Sequence, residues 1–67
     1  MISENIVNDY LSKLAETIAS MYHVSQSFAE KLIEKTAMKQ MISNQYNEIT
    51  EHPLSYWASL IYFWSTP

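Results

Sequence analysis

The chain contains two histidines, His23 and His52, and no cysteine. A metal centre would therefore have to be built from imidazole and carboxylate. Glu48 and Glu51 are the carboxylates close to His52 in sequence. Glu48 lies four residues before His52, a separation that can share one helix face, but Pro53 follows and disfavours helical backbone at the residue before it. The spacing does not match that of a zinc site, so both histidines read as solvated or capping groups. Ser55 and Ser59 stand one helical turn apart, yet neither has a histidine or lysine at a spacing that would make it a base. Their plainer role is as small side chains that let another helix approach closely. The chain has no glycine, which removes any phosphate-cradling loop. These features predict a chain that is not an enzyme and carries no cofactor and no metal.

The residue types with the strongest binding chemistry lie at the end of the chain. From Pro53 to Pro67 there is no charged side chain, and Leu54 to Trp64 holds Tyr56, Trp57, Tyr62, Phe63 and Trp64. Wound as a helix, this segment places Tyr56, Trp57, Leu60, Ile61 and Trp64 on one side and Leu54, Ala58, Tyr62 and Phe63 around the rest. A helix that is apolar nearly all round is normally buried, but a 67-residue protein has little interior in which to bury it. Tyrosine and tryptophan dominate interface hot spots because they join a large apolar area to a polar handle. The expected partner-binding residues are Tyr56, Trp57, Leu60, Ile61, Tyr62, Phe63 and Trp64. The plain alternative is a third core helix, with two amphipathic helices covering one face and the tyrosine hydroxyls reaching water.

Composition narrows the classes of partner. Apolar residues make up 48% and charged residues 16%, the balance of a folded domain rather than a disordered one. The net charge is −3, and the four basic side chains are Lys13, Lys31, Lys35 and Lys39, with no arginine. Nucleic-acid binding is disfavoured, because phosphate contacts need clustered Lys and Arg and base readout leans on bidentate Arg. No run reaches the roughly 20 apolar residues of a membrane span, and Met1 to Asn5 lacks the basic and apolar regions of a secretory signal. With no cysteine either, a cytoplasmic protein is expected. A small domain without disulfide or metal leaves oligomerisation or a bound partner as the remaining aid to stability.

The elements that must position the tail are helices, since no glycine is available for most hairpin turns and Pro53 and Pro67 are the only prolines. Ser3 is an N-cap with Glu4 in the first turn, and Ile2 can staple onto Val7. Val7, Leu11, Leu14, Ile18 and Met21 then recur at helical spacing, widened by Ile6, Tyr10, Ala15, Ala19 and Tyr22, which predicts a helix over 4–22. His23-Val24-Ser25 is a short connection, with Ser25 as the next cap, or Ser27 with Glu30 as a capping box two residues later. Phe28, Ala29, Leu32, Ile33, Thr36, Ala37, Met41 and Ile42 predict a second helix over 26–42. Its like-charge pairs, Glu30 with Glu34 and Lys31 with Lys35, leave it dependent on packing and open to a break near Thr36. Met21 and Met41 belong on the apolar stripes, which leaves Met38 for the surface. Asn44 to Glu51 reads as a polar connector or frayed turn, and Pro53 suits the first position of a helix over 53–64. The expected architecture is an all-α three-helix unit in one domain, 1–67. An antiparallel pair holds the aromatic helix, which lies across both stripes or projects to a second molecule.

The run His52-Pro53-Leu54-Ser55-Tyr56-Trp57-Ala58, continued by Leu60-Ile61-Tyr62, resembles the ending of small helical proteins encoded beside toxin genes in bacteria. That resemblance implies an antitoxin that neutralises a protein toxin by direct contact. The missing basic region sets the chain apart from antitoxins that also repress their own operon. The expected function is thus a non-enzymatic antitoxin or small inhibitor whose aromatic helix docks in an apolar groove of a toxin or other protein partner. Two alternatives come from other classes. One is a self-associating homodimer; the other is a helix-turn-helix regulator using Val24-Ser25 and the following helix, against which the missing arginines argue.

Overall fold

The computed structural model describes residues 3–65. Five helices follow in order: α1 (Glu4–Tyr22), α2 (Gln26–Glu34), α3 (Met38–Asn44), α4 (Tyr46–Thr50) and α5 (Leu54–Ser65). No strand occurs among the described residues, and the all-α class follows. Both predicted N-caps form. Ser3 Oγ accepts from the Ile6 N–H at 3.3 Å and Ser25 Oγ from the Phe28 N–H at 3.1 Å, each relieving one unpaired donor of a first turn. Ser25 rather than Ser27 is therefore the cap of α2. The expected staple from Ile2 involves a residue outside those described.

The end of α1 requires a left-handed residue, and in a glycine-free chain that position falls on His23, at φ 56° and ψ 43°. Its backbone N–H and that of Val24 both reach the Ala19 carbonyl, the latter at 3.2 Å. These bonds occupy a helix-end acceptor in the manner of a Schellman closure. The sharp reversal lays α2 back along α1, so that Ile33 borders the same groove as Asn8, Leu11 and Ser12.

α1 is the central element. Its buried residues are Val7, Tyr10, Leu14, Ala15 and Ile18, with Leu11 half-buried beside them. Ala29, Leu32 and Ile33 of α2, Met38 and Ile42 of α3, Ile49 of α4 and Trp57, Ala58 and Ile61 of α5 complete a single core.

Four sequence expectations change here. The helix expected over 26–42 is broken, because the Thr36 hydroxyl donates to the Ile33 carbonyl at 2.7 Å and accepts from the Met38 N–H at 3.2 Å. A threonine that bonds its own backbone in this way competes with helical continuation. The break resets the helical phase, and Met38, expected on the surface, is fully buried. Met21, expected inside, is exposed, because the last turn of α1 directs Tyr22 inward to stack on Tyr62 of α5 at 3.9 Å between centroids. Finally, the connector over 44–51 contains α4, whose Ile49 enters the core and whose Tyr46 meets Tyr10 edge-on at 6.1 Å.

Tyr10 is buried, and its hydroxyl has no hydrogen-bond partner among the described residues. Burial, and secondarily the neighbouring Tyr46, raise its pKa above the ordinary 10.0. The native state therefore holds this proton more tightly than the unfolded chain, so its stability is intact below pH 10 and declines as the pH climbs beyond it. Tyr10→Phe removes an unsatisfied buried oxygen and should raise stability by about 1 kcal/mol. In urea titrations monitored by circular dichroism, the variant should also show a shallower loss of stability between neutral and strongly alkaline pH than the parent protein. A second substitution tests the closure of α1. His23→Gly relieves the left-handed backbone and should stabilise by about 0.5–1 kcal/mol, seen as a rise in melting temperature.

Candidate partner-binding surface

α5 begins directly after Pro53, with the Tyr56 N–H bonded to the Pro53 carbonyl at 3.0 Å. Its rotation is set by Trp57, whose buried indole Nε1–H donates to the Ile49 carbonyl at 2.7 Å. That carbonyl lies at the end of α4 and also accepts from the His52 N–H at 3.3 Å. His52 covers the junction, its ring stacked on Tyr56 at 4.3 Å and edge-on to Trp57 at 5.7 Å. Farther along α5, the Tyr22–Tyr62 stack holds the helix to α1, and Ser65 Oγ donates to the Leu32 carbonyl of α2 at 3.3 Å.

These anchors divide the seven residues expected to bind a partner. Trp57 and Ile61 are core residues, and Leu60 and Tyr62 are half-buried against the core. Tyr56, Phe63 and Trp64 are exposed by 43%, 78% and 55%. Tyr56, Leu60, Phe63 and Trp64 follow the i, i+4, i+7, i+8 spacing of a continuous helical stripe, with Ser59 beside it. The outer face of α5 is thus an apolar stripe running the length of the helix. No residue of α5 is charged. Sequence reasoning identified the helix and left out His52, although its separation of four residues from Tyr56 is a usable neighbour signal. It could not assign the inward and outward sides, because both are aromatic.

The rest of the surface offers less. A groove of about 340 Å³ is lined by Lys13, Glu16, Thr17, Ser20, Met21 and Leu54. Lys13 also pairs with Asp9 at 3.1 Å, with both side chains largely exposed, a contact worth little in water. A second groove of about 220 Å³ lies between α1 and α2. Among the described residues no three His, Asp or Glu side chains are gathered as metal ligands. No described helix is long and apolar enough to cross a membrane.

Comparison with protein-family models, with curated proteins and with solved structures finds no match.

The division of α5 makes a direct prediction about stability. Trp57→Ala removes a buried ring and leaves a void, which costs about 3–5 kcal/mol, comparable to the whole stability of so small a domain. Phe63→Ser should change stability by no more than about 0.5 kcal/mol. Urea unfolding of the two variants checks this. Equal costs would mean that α5 is rotated differently from the arrangement described.

Proposed function

We propose that this chain is a non-enzymatic protein-binding module, an antitoxin or small inhibitor that neutralises a protein partner by direct contact through the outer face of α5. The observation that carries this reading is the uncharged outer stripe of exposed Tyr56, Phe63 and Trp64, with half-buried Leu60 between them, on a helix anchored at several points to the core. An apolar stripe on a rigid helix suits helix-in-groove recognition. Prior ordering by Trp57 and Tyr62 lowers the entropy lost on binding. The resemblance of the His52–Tyr62 run to the endings of toxin-linked helical proteins favours a bacterial toxin as the partner. Occlusion is the mechanism: the stripe fills the groove that the toxin needs for its own activity.

The test uses Phe63→Ser combined with Trp64→Ser, which leaves the core intact. The parent protein should capture a discrete partner from its native cells and abolish that partner's growth-arresting effect on co-expression. The double variant should weaken the complex by about a thousandfold if each aromatic is worth about 2 kcal/mol. A complex that survives the double substitution unchanged would remove α5 from the function.

A further inference from the structure

α2 sorts its charged side chains by sign. At about 100° per residue, Leu32 and Ile33 mark the two sides of its buried face, with Glu30 and Glu34 beyond Ile33 and Lys31 and Lys35 beyond Leu32. Each side meets a different neighbour. Glu30 and Ile33 border the groove against Asn8, Leu11 and Ser12 of α1. On the other side, the Leu32 carbonyl accepts from Ser65 Oγ of α5 at 3.3 Å and from the Lys35 N–H at 3.2 Å. Ser65 and Lys35 therefore meet at one oxygen, directly after Trp64 in sequence, and the lysine edge of α2 borders the C-terminal end of the aromatic stripe.

This segregation works against the helix that carries it. Glu30 with Glu34 and Lys31 with Lys35 are like-charge pairs four residues apart, and each weakens a helix. Interchanging residues 34 and 35 would turn both into opposite-charge pairs at the same composition. Lys31 and Lys35 are exposed, and neither pairs with a carboxylate among the described residues. Two uncompensated cations on one edge, next to an aromatic stripe, are complementary to carboxylates on whatever covers that stripe. At the opposite end the sign changes, for Glu51 immediately precedes His52, whose ring is stacked on Tyr56. A nucleic-acid backbone, negative along its whole length, would meet that carboxylate, and the chain has no arginine. A protein surface can match both ends.

We propose that the partner covering the outer face of α5 is a protein whose apolar groove carries carboxylates on the rim that receives Trp64, where they pair with Lys31 and Lys35. The inference rests on the preceding reading of that face as a docking surface and adds the chemistry and direction of its occupant. Lys31 and Lys35 set specificity, while the aromatic stripe supplies the affinity. Exposed ion pairs contribute little binding energy, but complementary charge at a rim speeds encounter, and like charges there suppress wrong partners. A groove with a basic rim at that end would set ammonium against ammonium.

Two designed helical hairpins serve as probes. Both present a leucine-lined groove, stepped with alanine so that α5 enters in one direction, and they differ only in glutamate or lysine on the rim that meets Trp64. Trp64 emission follows their titration into the full chain, since Trp57 is already buried. At about 0.1 M salt, where charges more than about 10 Å apart are screened, the glutamate-rimmed hairpin should bind about tenfold more tightly than its twin. The net charge of −3 would by itself favour the lysine rim, so the expected order reports the local lysines. The preference should shrink at about 1 M salt. Lys31→Gln with Lys35→Gln should abolish it, while the melting temperature stays equal to the parent's or rises as the like-charge pair is removed. Equal binding of the two hairpins, or a preference that survives the double substitution, would overturn the proposal and leave α5 a groove-binding helix. Displacement of the hairpin by oligothymidylate would also overturn it, by assigning the lysines to phosphate. Binding of neither hairpin would overturn both this proposal and the reading of α5 as a docking face.

Discussion

The buried hydrogen bond from the Trp57 indole to the Ile49 carbonyl fixes the rotation of α5 about its own axis, and that rotation decides which aromatic side chains are core and which are surface. A helix that is apolar on all sides has no intrinsic preference for the face it buries. The indole N–H supplies one, because leaving a buried donor unpaired costs about 1–3 kcal/mol. The same bond occupies an acceptor at the end of α4, a five-residue helix without a side-chain cap. One contact thus ties the end of α4 to the first turns of α5.

The other constraint is the narrowness of the material available to cover α1. That helix is nineteen residues long, while α2, α3 and α4 are nine, seven and five residues long. The short pieces reach around α1 because Thr36 interrupts the chain and sends Met38 and Ile42 inward. α5 then closes the remaining side through Trp57, Ala58 and Ile61. Once those three are used, there is no further core for Tyr56, Phe63 and Trp64 to enter, and they remain on the surface.

Small domains rarely leave aromatic side chains aligned along a helix without using them. Here the exposed stripe is uncharged, continuous and held rigid from beneath. These properties suit recognition of an apolar groove.

Much of this molecule was legible without coordinates. The helical class, the span of α1, both serine caps and the uncharged aromatic helix follow from local rules, because capping, periodicity and the absence of glycine act over a few residues. The interruption at Thr36 was visible as a weakness, through like-charge neighbours, but its consequence for Met38 was not. Whether Tyr22 or Met21 turns inward depended on Tyr62, forty residues farther along. The sequence by itself determined that α5 would be apolar around its circumference and that part of it would exceed the core. Only the tertiary structure decided which part, because a helix apolar around most of its circumference takes its rotation from contacts outside itself, among them the bond from the Trp57 indole to the Ile49 carbonyl of α4.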